Sequence, residues 1–350
     1  MIRFAKIALS PVSGLYGLIV NRRDALYRRG MFHQHRVDAP VISVGNITIG
    51  GTGKTPLVKW IARELAGEKR RVCILTRGYR RRSKGQVLVS NGAEVLATVE
   101  EAGDEALMLA ESLNGSAAVI CDADRVAAAR FAIERLGSNV LLLDDGFQHR
   151  RIARDLDIVI VDGTHPLDDE RLLPLGHLRE PLRALRRADC FVIPRADNAD
   201  AVKPTSKLIA EINSSAPIFL STTRLVRFRA LASEETSAIE LDDVALAAFC
   251  GIGNPQSFFS LLQREGLVIT DKRVFRDHHR YTQADVSSIE EAAGKAGASA
   301  LLTTAKDAVK LRHLQVGLPC YVAEINIEIQ PAGEFRKIIA QTINQAKNRD

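Results

Sequence analysis

One run constrains this chain more than any other: Asn46-Ile47-Thr48-Ile49-Gly50-Gly51-Thr52-Gly53-Lys54-Thr55-Pro56. The apolar residues Val41-Ile42-Ser43-Val44 before it read as a short buried strand, and residues 57–65 after it are compatible with a helix. Strand, glycine-rich turn, Lys-Thr and helix is the layout of a nucleotide-phosphate cradle. The glycines let backbone N–H groups approach phosphate with no Cβ in the way, and the helix N-terminus adds unpaired donors and positive partial charge. Lys54 is expected to reach the β- and γ-phosphates and the Thr55 hydroxyl to meet Mg²⁺. The usual pattern has a glycine five residues before Gly53; here Thr48 stands there, so the loop is a variant.

A second signal strengthens the first. Val140-Leu141-Leu142-Leu143-Asp144-Asp145-Gly146 describes a buried strand presenting carboxylates at its tip, where phosphate-loop enzymes hold Mg²⁺ directly or through water. Other apolar runs at 72–75, 117–121, 157–162, 189–194, 218–220, 245–250 and 300–304 alternate with helical stretches. That alternation predicts mainly parallel sheets covered by helices. The segment 274–281 is predicted as a further strand and its exit. The polar stretch around Ser233-Glu234-Glu235-Thr236-Ser237 is predicted as a linker. Arg77, Arg80, Arg81 and Arg82 follow a strand end, where open α/β sheets bind ligands, and predict a cationic wall for phosphate. Asp104 and Glu105 open a helix; taken alone, acids in a first turn compensate the helix dipole. His278 and His279 stand side by side without a neighbouring zinc pattern and predict proton transfer or anion contact.

The first twenty residues carry Arg3, Lys6, Ser10, Ser13 and Gly17 as a narrow stripe, with apolar residues elsewhere. Pro11, Gly14 and Gly17 interrupt the segment, so a transmembrane helix is not predicted, and no small-x-small cleavage site follows. With basic residues on both sides, the segment reads equally as a helix in an anionic membrane interface or as a helix packed on the domain behind it. The net charge of +6 suits an anionic partner. Five dispersed cysteines, none in a Cys-x-x-Cys pair, predict buried reduced thiols.

In order and combination these motifs resemble the tetraacyldisaccharide 4′-kinase family of lipid A biosynthesis. The residues carrying the resemblance are Val44-Gly45-Asn46 through Pro56, Arg77-Gly78-Tyr79, Gly103-Asp104-Glu105 and Asp144 through His149. Leu173-Pro174-Leu175-Gly176 with Arg179-Glu180-Pro181, and Asp277 through Tyr281, complete the set. The loop with Thr48 is the family's own form. The resemblance implies two α/β/α domains with mainly parallel sheets, the first a phosphate-loop NTPase domain, joined by a small β linker. On that basis 1–36 is expected as a membrane-interface helix region, 37–220 as the kinase domain, 221–243 as linker and 244–350 as a smaller domain completing the site.

The implied reaction transfers the γ-phosphate of ATP to the 4′-hydroxyl of a tetra-acylated glucosamine disaccharide 1-phosphate, giving lipid IVA at the cytoplasmic face of the bacterial inner membrane. Asp104 is implied as the base and His278 as its support, with Lys54 on the phosphates. Asn46, Thr48, Gly50, Gly51, Thr52, Gly53, Lys54 and Thr55 are expected at ATP; Thr55, Glu105, Asp144 and Asp145 at Mg²⁺. Tyr79, Arg125, Gln148, His149 and Arg179 are expected at the substrate. Neither nucleic acid nor an obligatory protein partner is expected. A cargo-positioning phosphate-loop ATPase is disfavoured because Ile49 stands where those loops carry a lysine. A nucleotide-gated binding module would leave Asp104 and His278 without a task.

Overall fold

In this computed structural model, residues 2–163, 167, 171–194, 199–232 and 239–348 are described. The chain opens with helix α1 (Ile2–Arg28), which contains Pro11. Strand β1 (Val41–Asn46), buried throughout, then feeds the glycine-rich turn and helix α2 (Lys54–Gly67). The pattern repeats through β2 (Val72–Thr76), β3 (Val87–Ser90), α3 (Val99–Ala102), α4 (Asp104–Ser112), β4 (Ala117–Cys121) and α5 (Arg125–Leu136). Strands β5 (Val140–Asp144), β6 (Leu156–Ile160) and β7 (Cys190–Pro194) and helix α6 (Ala199–Ile212) complete the first half. Strands β1, β2, β4, β5, β6 and β7 are buried along their whole length because helices cover both faces of the sheet. The two faces give separate apolar clusters, one around Leu57, Ile61 and Leu109, the other around Cys73, Leu141 and Ala129.

The second half runs β8 (Ile218–Ala230), β9 (Leu246–Cys250), α7 (Pro255–Arg264), β10 (Ile269–Val274), α8 (Gln283–Lys295), β11 (Ala300–Thr304), α9 (Ala305–Leu311), β12 (Cys320–Gln330) and α10 (Ala332–Lys347). All the strands join one sheet in the order β10-β9-β11-β12-β8-β7-β6-β1-β5-β2-β4-β3. Pairing is parallel except for β3–β4 and β12–β8. The two parallel halves therefore meet through the long antiparallel pair β8–β12.

Two expectations change here. Residues 221–230, expected within the linker, extend β8, and the reason is cross-strand charge. Arg227 and Arg229 meet Glu324 at 2.8 and 3.3 Å, and Arg224 meets Glu328 at 3.2 Å. The centre of the expected linker, 233–237, lies outside the described residues. The segment expected as a strand from 274 is a turn: β10 ends at Val274, and His278 takes a left-handed φ of 60°. All five cysteines are buried and free, as expected.

Helix α1 packs with its small residues inward. Ser13 Oγ donates to Leu172 O (2.8 Å), Tyr16 Oη donates to Arg179 O (2.8 Å), and Leu172 Cδ1 approaches to 3.0 Å of where a Cβ on Gly17 would sit. Asp24 pairs with Arg150 at 2.6 Å and Arg23 with Glu180 at 3.2 Å. Leu15, Leu18 and Ile19 face outward, 60–67% exposed. Between Val12 and Ile19 the helix thus presents apolar side chains to solvent, the reverse of an ordinary surface helix. No helix among the described residues is long and apolar enough to cross a membrane.

Candidate active site

A cleft of 1470 Å³ lies at the carboxyl ends of β1, β5 and β2 and is closed from the far side by the turns after β9 and β10. Its floor is the phosphate loop. Gly50, Gly51, Thr52, Gly53, Lys54 and Thr55 all line it. Gly53, at φ 85°, turns the chain into α2 and leaves the first-turn N–H groups of that helix facing the cleft. Lys54 Nζ donates to Asn46 Oδ1 (3.2 Å) and lies 3.5 Å from Asp145 Oδ1. Asn46 is buried and also donates through Nδ2 to Thr52 Oγ1 (2.9 Å), so it shapes the loop from beneath. Thr48 is not brought to the cleft. It bridges Leu178, and its neighbour Ile49 donates N–H to His177 O (2.9 Å), tying the loop to the 171–180 segment.

The strand tip carries the expected acids. Asp144 is buried and accepts from Thr76 Oγ1 (3.1 Å). Burial, and then the charges of Glu105 and Asp145, push it up to about 6 from an ordinary 3.8. Asp145 takes a left-handed φ of 54°, which turns its side chain to Arg179 NH1 (2.7 Å) and Lys54. Gly45 on β1 allows this turn to pack, because a Cβ there would lie 2.6 Å from Phe147 Cβ.

The opposite wall brings together residues far apart in the chain. His278 Nδ1 lies 2.8 Å from Asp104 Oδ2 and 3.0 Å from Oδ1, and both side chains are more than 90% buried. Asp104 begins α4, and its Oδ1 accepts from Glu105 N–H (3.0 Å). Gly103 permits that start: at φ 84°, a Cβ there would lie 2.6 Å from Tyr79 O. Burial opposes the Asp104 charge, but the hydrogen bond from His278 and the charge of Lys306 outweigh it and hold the carboxyl below its usual range. Asp104 is therefore ionised at neutral pH and free to accept a proton. His279 does not join it; it stacks on Phe275 and meets Asp285 at 3.2 Å, a packing role.

The remaining expected residues surround the same cleft. Tyr79, Arg125, Gln148, His149 and Arg179 all line it. Gln148 Nε2 donates to Asn46 O (2.9 Å), while Gln148 Oε1, Arg125 Nε and His149 Nε2 are buried without a hydrogen-bond partner. Orphaned buried polar atoms on one wall mark a surface awaiting a ligand. Burial, and the charges of Arg125 and Arg151, lower His149 to about 4, so its ring is neutral. Of the arginines after β2, Arg77 and Arg80 reach the cleft, whereas Arg81 turns away to Cys121 O (3.2 Å) and Gly85 O (2.5 Å) and braces the backbone.

Sequence reasoning passed over Lys306. From the start of α9 it reaches Glu105 Oε1 (2.9 Å), Asp277 Oδ1 (3.1 Å) and His278 Nε2 (3.2 Å). Its position directly after a strand, like that of Arg77, was the available signal.

Among the described residues no three His, Cys, Asp or Glu side chains close around one metal position. Mg²⁺ does not require that; it keeps several waters and commonly takes one or two carboxylates plus substrate phosphate. Hard oxygen donors on Thr55, Asp144, Asp145 and Glu105 beside Lys54, with the buried Asp145 Oδ1 meeting Lys54 Nζ only at a long 3.5 Å, fit such an ion.

The raised Asp144 gives a stability prediction. Its folded value lies above its ordinary one, so the ionised form is disfavoured by folding; the penalty is full above pH about 6 and vanishes below 3.8. Asp144→Asn should therefore stabilise the protein in chelator at pH 7.5 by on the order of 1–3 kcal/mol, and the gain should fade towards pH 4. Thermal melts at both pH values check this. An equal effect at both would show that ionisation is not the cause.

The sequence pattern of the family described as tetraacyldisaccharide-1-P 4′-kinase matches residues 5–344. A tetraacyldisaccharide 4′-kinase of Halothermothrix orenii is 38% identical, covering 95% of this chain and 91% of its own length. That of Geobacter sulfurreducens is 40% identical, covering 94% and 92%. The crystal structure of Aquifex aeolicus LpxK in complex with ATP superposes with a TM-score of 0.79 at 31% identity, over 97% of this chain and 99% of that one.

Proposed function

This chain belongs to the tetraacyldisaccharide-1-P 4′-kinase family and phosphorylates the lipid A precursor at its 4′ position using ATP; from that premise we propose how its residues divide the work. The observation that carries the assignment is the Asp104–His278 pair, of which His278 lines the same cleft as Lys54 and the phosphate loop. The unit 37–220 holds the triphosphate on the loop N–H groups and Lys54. The unit 244–350 completes the site with His278. Asp104 accepts the proton of the 4′-hydroxyl as the oxygen attacks the γ-phosphorus. Arg125, Gln148, His149, Arg179 and Tyr79 orient the sugar and its 1-phosphate, supported by the orphaned polar atoms on that wall. Thr55, Asp144, Asp145 and Glu105 would hold Mg²⁺, which when bound neutralises charge on the β- and γ-phosphate oxygens. Most of the rate comes from placing donor and acceptor in line, because phosphoryl transfer leaves the protein little covalent chemistry to do.

The outward apolar face of α1 docks on the cytoplasmic face of the inner membrane. Leu15, Leu18 and Ile19 enter the interface, and Tyr16 and Ile19 border the cleft mouth. The double change Leu15→Ser with Leu18→Ser removes two exposed apolar side chains and leaves the Ser13 and Tyr16 contacts in place. Partitioning onto anionic vesicles should fall about tenfold or more. Unchanged flotation would refute the docking.

The reaction itself is tested with γ-labelled ATP, Mg²⁺ and the tetra-acylated disaccharide 1-phosphate in detergent micelles. Label on the lipid is the expected result. ATP hydrolysis with no label on the lipid would overturn it.

A further inference from the structure

We infer that Lys306 is a positioning residue that holds His278 in the neutral tautomer with its hydrogen on Nδ1, leaving Asp104 as the group that takes the hydroxyl proton. The inference rests on the assignment of Asp104 as proton acceptor, and it specifies what that assignment leaves open: which group fixes the hydrogen on the His278 ring.

The argument is one of donors and acceptors. A lysine ammonium has three N–H donors and no acceptor. Lys306 Nζ has three partners in reach: Glu105 Oε1 at 2.9 Å, Asp277 Oδ1 at 3.1 Å and His278 Nε2 at 3.2 Å. Nε2 must therefore accept. The carboxylates of Glu105 and Asp277 are each 3.7 Å from Nε2, too far to take a hydrogen from it. On the other side of the ring, Nδ1 lies 2.8 Å from a carboxylate that only accepts, so Nδ1 carries the hydrogen. Both bonds select the same tautomer. Two further groups face the ring. Tyr79 stands 5.5 Å away between centroids, and Arg80 is turned to Asp277 O (3.3 Å). Neither offers Nε2 an acceptor.

The backbone commits the ring to this place. His278 is held at φ 60°, with its N–H on Gly251 O (3.2 Å), a left-handed conformation that the surrounding turn must sustain. Lys306 itself is only 13% exposed, and two carboxylates, Glu105 at 2.9 Å and Asp277 at 3.1 Å, hold it as the ammonium.

The consequence is a defined proton route. While Lys306 donates to Nε2, the substrate proton has no place on His278. The sugar O–H bond breaks, its proton passes to a carboxylate oxygen of Asp104, and the oxygen's electron pair forms the bond to phosphorus. The electron pair of the broken P–O bond leaves with ADP.

The test is nitrogen NMR of ¹⁵N-histidine-labelled enzyme, with the His278 signals assigned by their loss in His278→Gln. The expected native spectrum has an unprotonated Nε2 and a protonated Nδ1. In Lys306→Met the nitrogen signals should move away from that pattern, and kcat should fall roughly 10- to 100-fold. Lys306→Arg, which also donates and cannot accept, should restore the tautomer and part of the rate. A native Nε2 that carries hydrogen, or nitrogen signals unchanged in Lys306→Met, would overturn the inference. Should Lys306→Met not fold, the native spectrum decides alone. The spectrum does not depend on turnover, so an Asp104→Asn enzyme with near-native rate would remove the proton-acceptor assignment separately.

Discussion

In Lys54→Ala, transfer of label from ATP to lipid should fall by on the order of 10³-fold or more. Lys54 is the loop's only cation, placed 3.2 Å from Asn46 Oδ1 and 3.5 Å from Asp145, at the head of the helix whose N–H groups face the phosphates. Its removal takes away a charge that strengthens as the γ-phosphoryl separates, and nothing else on the loop replaces it. The fold should survive, because Asp145 keeps Arg179 at 2.7 Å and Asn46 keeps Thr52 at 2.9 Å. The check is single-turnover transfer together with a thermal melt. A variant that folds and transfers within tenfold of native would refute the role.

Asp104→Asn should lose about 10²–10⁴-fold in kcat while nucleotide and lipid binding persist. The amide is nearly isosteric, and its Oδ1 can still accept from His278 Nδ1 and from Glu105 N–H. Its Nδ2 then stands where Oδ2 was, 2.8 Å from His278 Nδ1, a donor where a proton acceptor is required. Loss in kcat with little change in KM is the signature of an interaction made in the transition state. A near-normal rate would refute the base assignment.

The parts of this site that were legible in the sequence are those written contiguously. The phosphate loop, the Asp144-Asp145 strand tip and the arginines after β2 each combine an apolar strand with the polar residues directly after it. Strand direction then places their side chains at one edge of the sheet. Asp104 was legible only through family resemblance, because an acid opening a helix has an ordinary capping explanation. The start of β8 at 218–220 was read, but its extension to Ala230 was missed because those residues alternate charged and apolar without a long apolar run. Glu324 on β12 directly opposite Arg227, and Glu328 diagonal to Arg224, were the signal that would have revealed it.

The sequence by itself determined the nucleotide end: β1, the glycine turn, α2 and the acid at the tip of β5 follow from local pattern and backbone sterics. Tertiary structure alone decided the acceptor end. His278 reaches Asp104 across 174 residues and Lys306 reaches Glu105 across 201, and no local periodicity encodes either meeting. The packing of the two halves through β8–β12 does. The same holds for α1, where Ser13, Tyr16 and Gly17 turned inward because they met the 171–180 segment. Those contacts left Leu15 and Leu18 facing out, an orientation that depends on a surface more than 150 residues away.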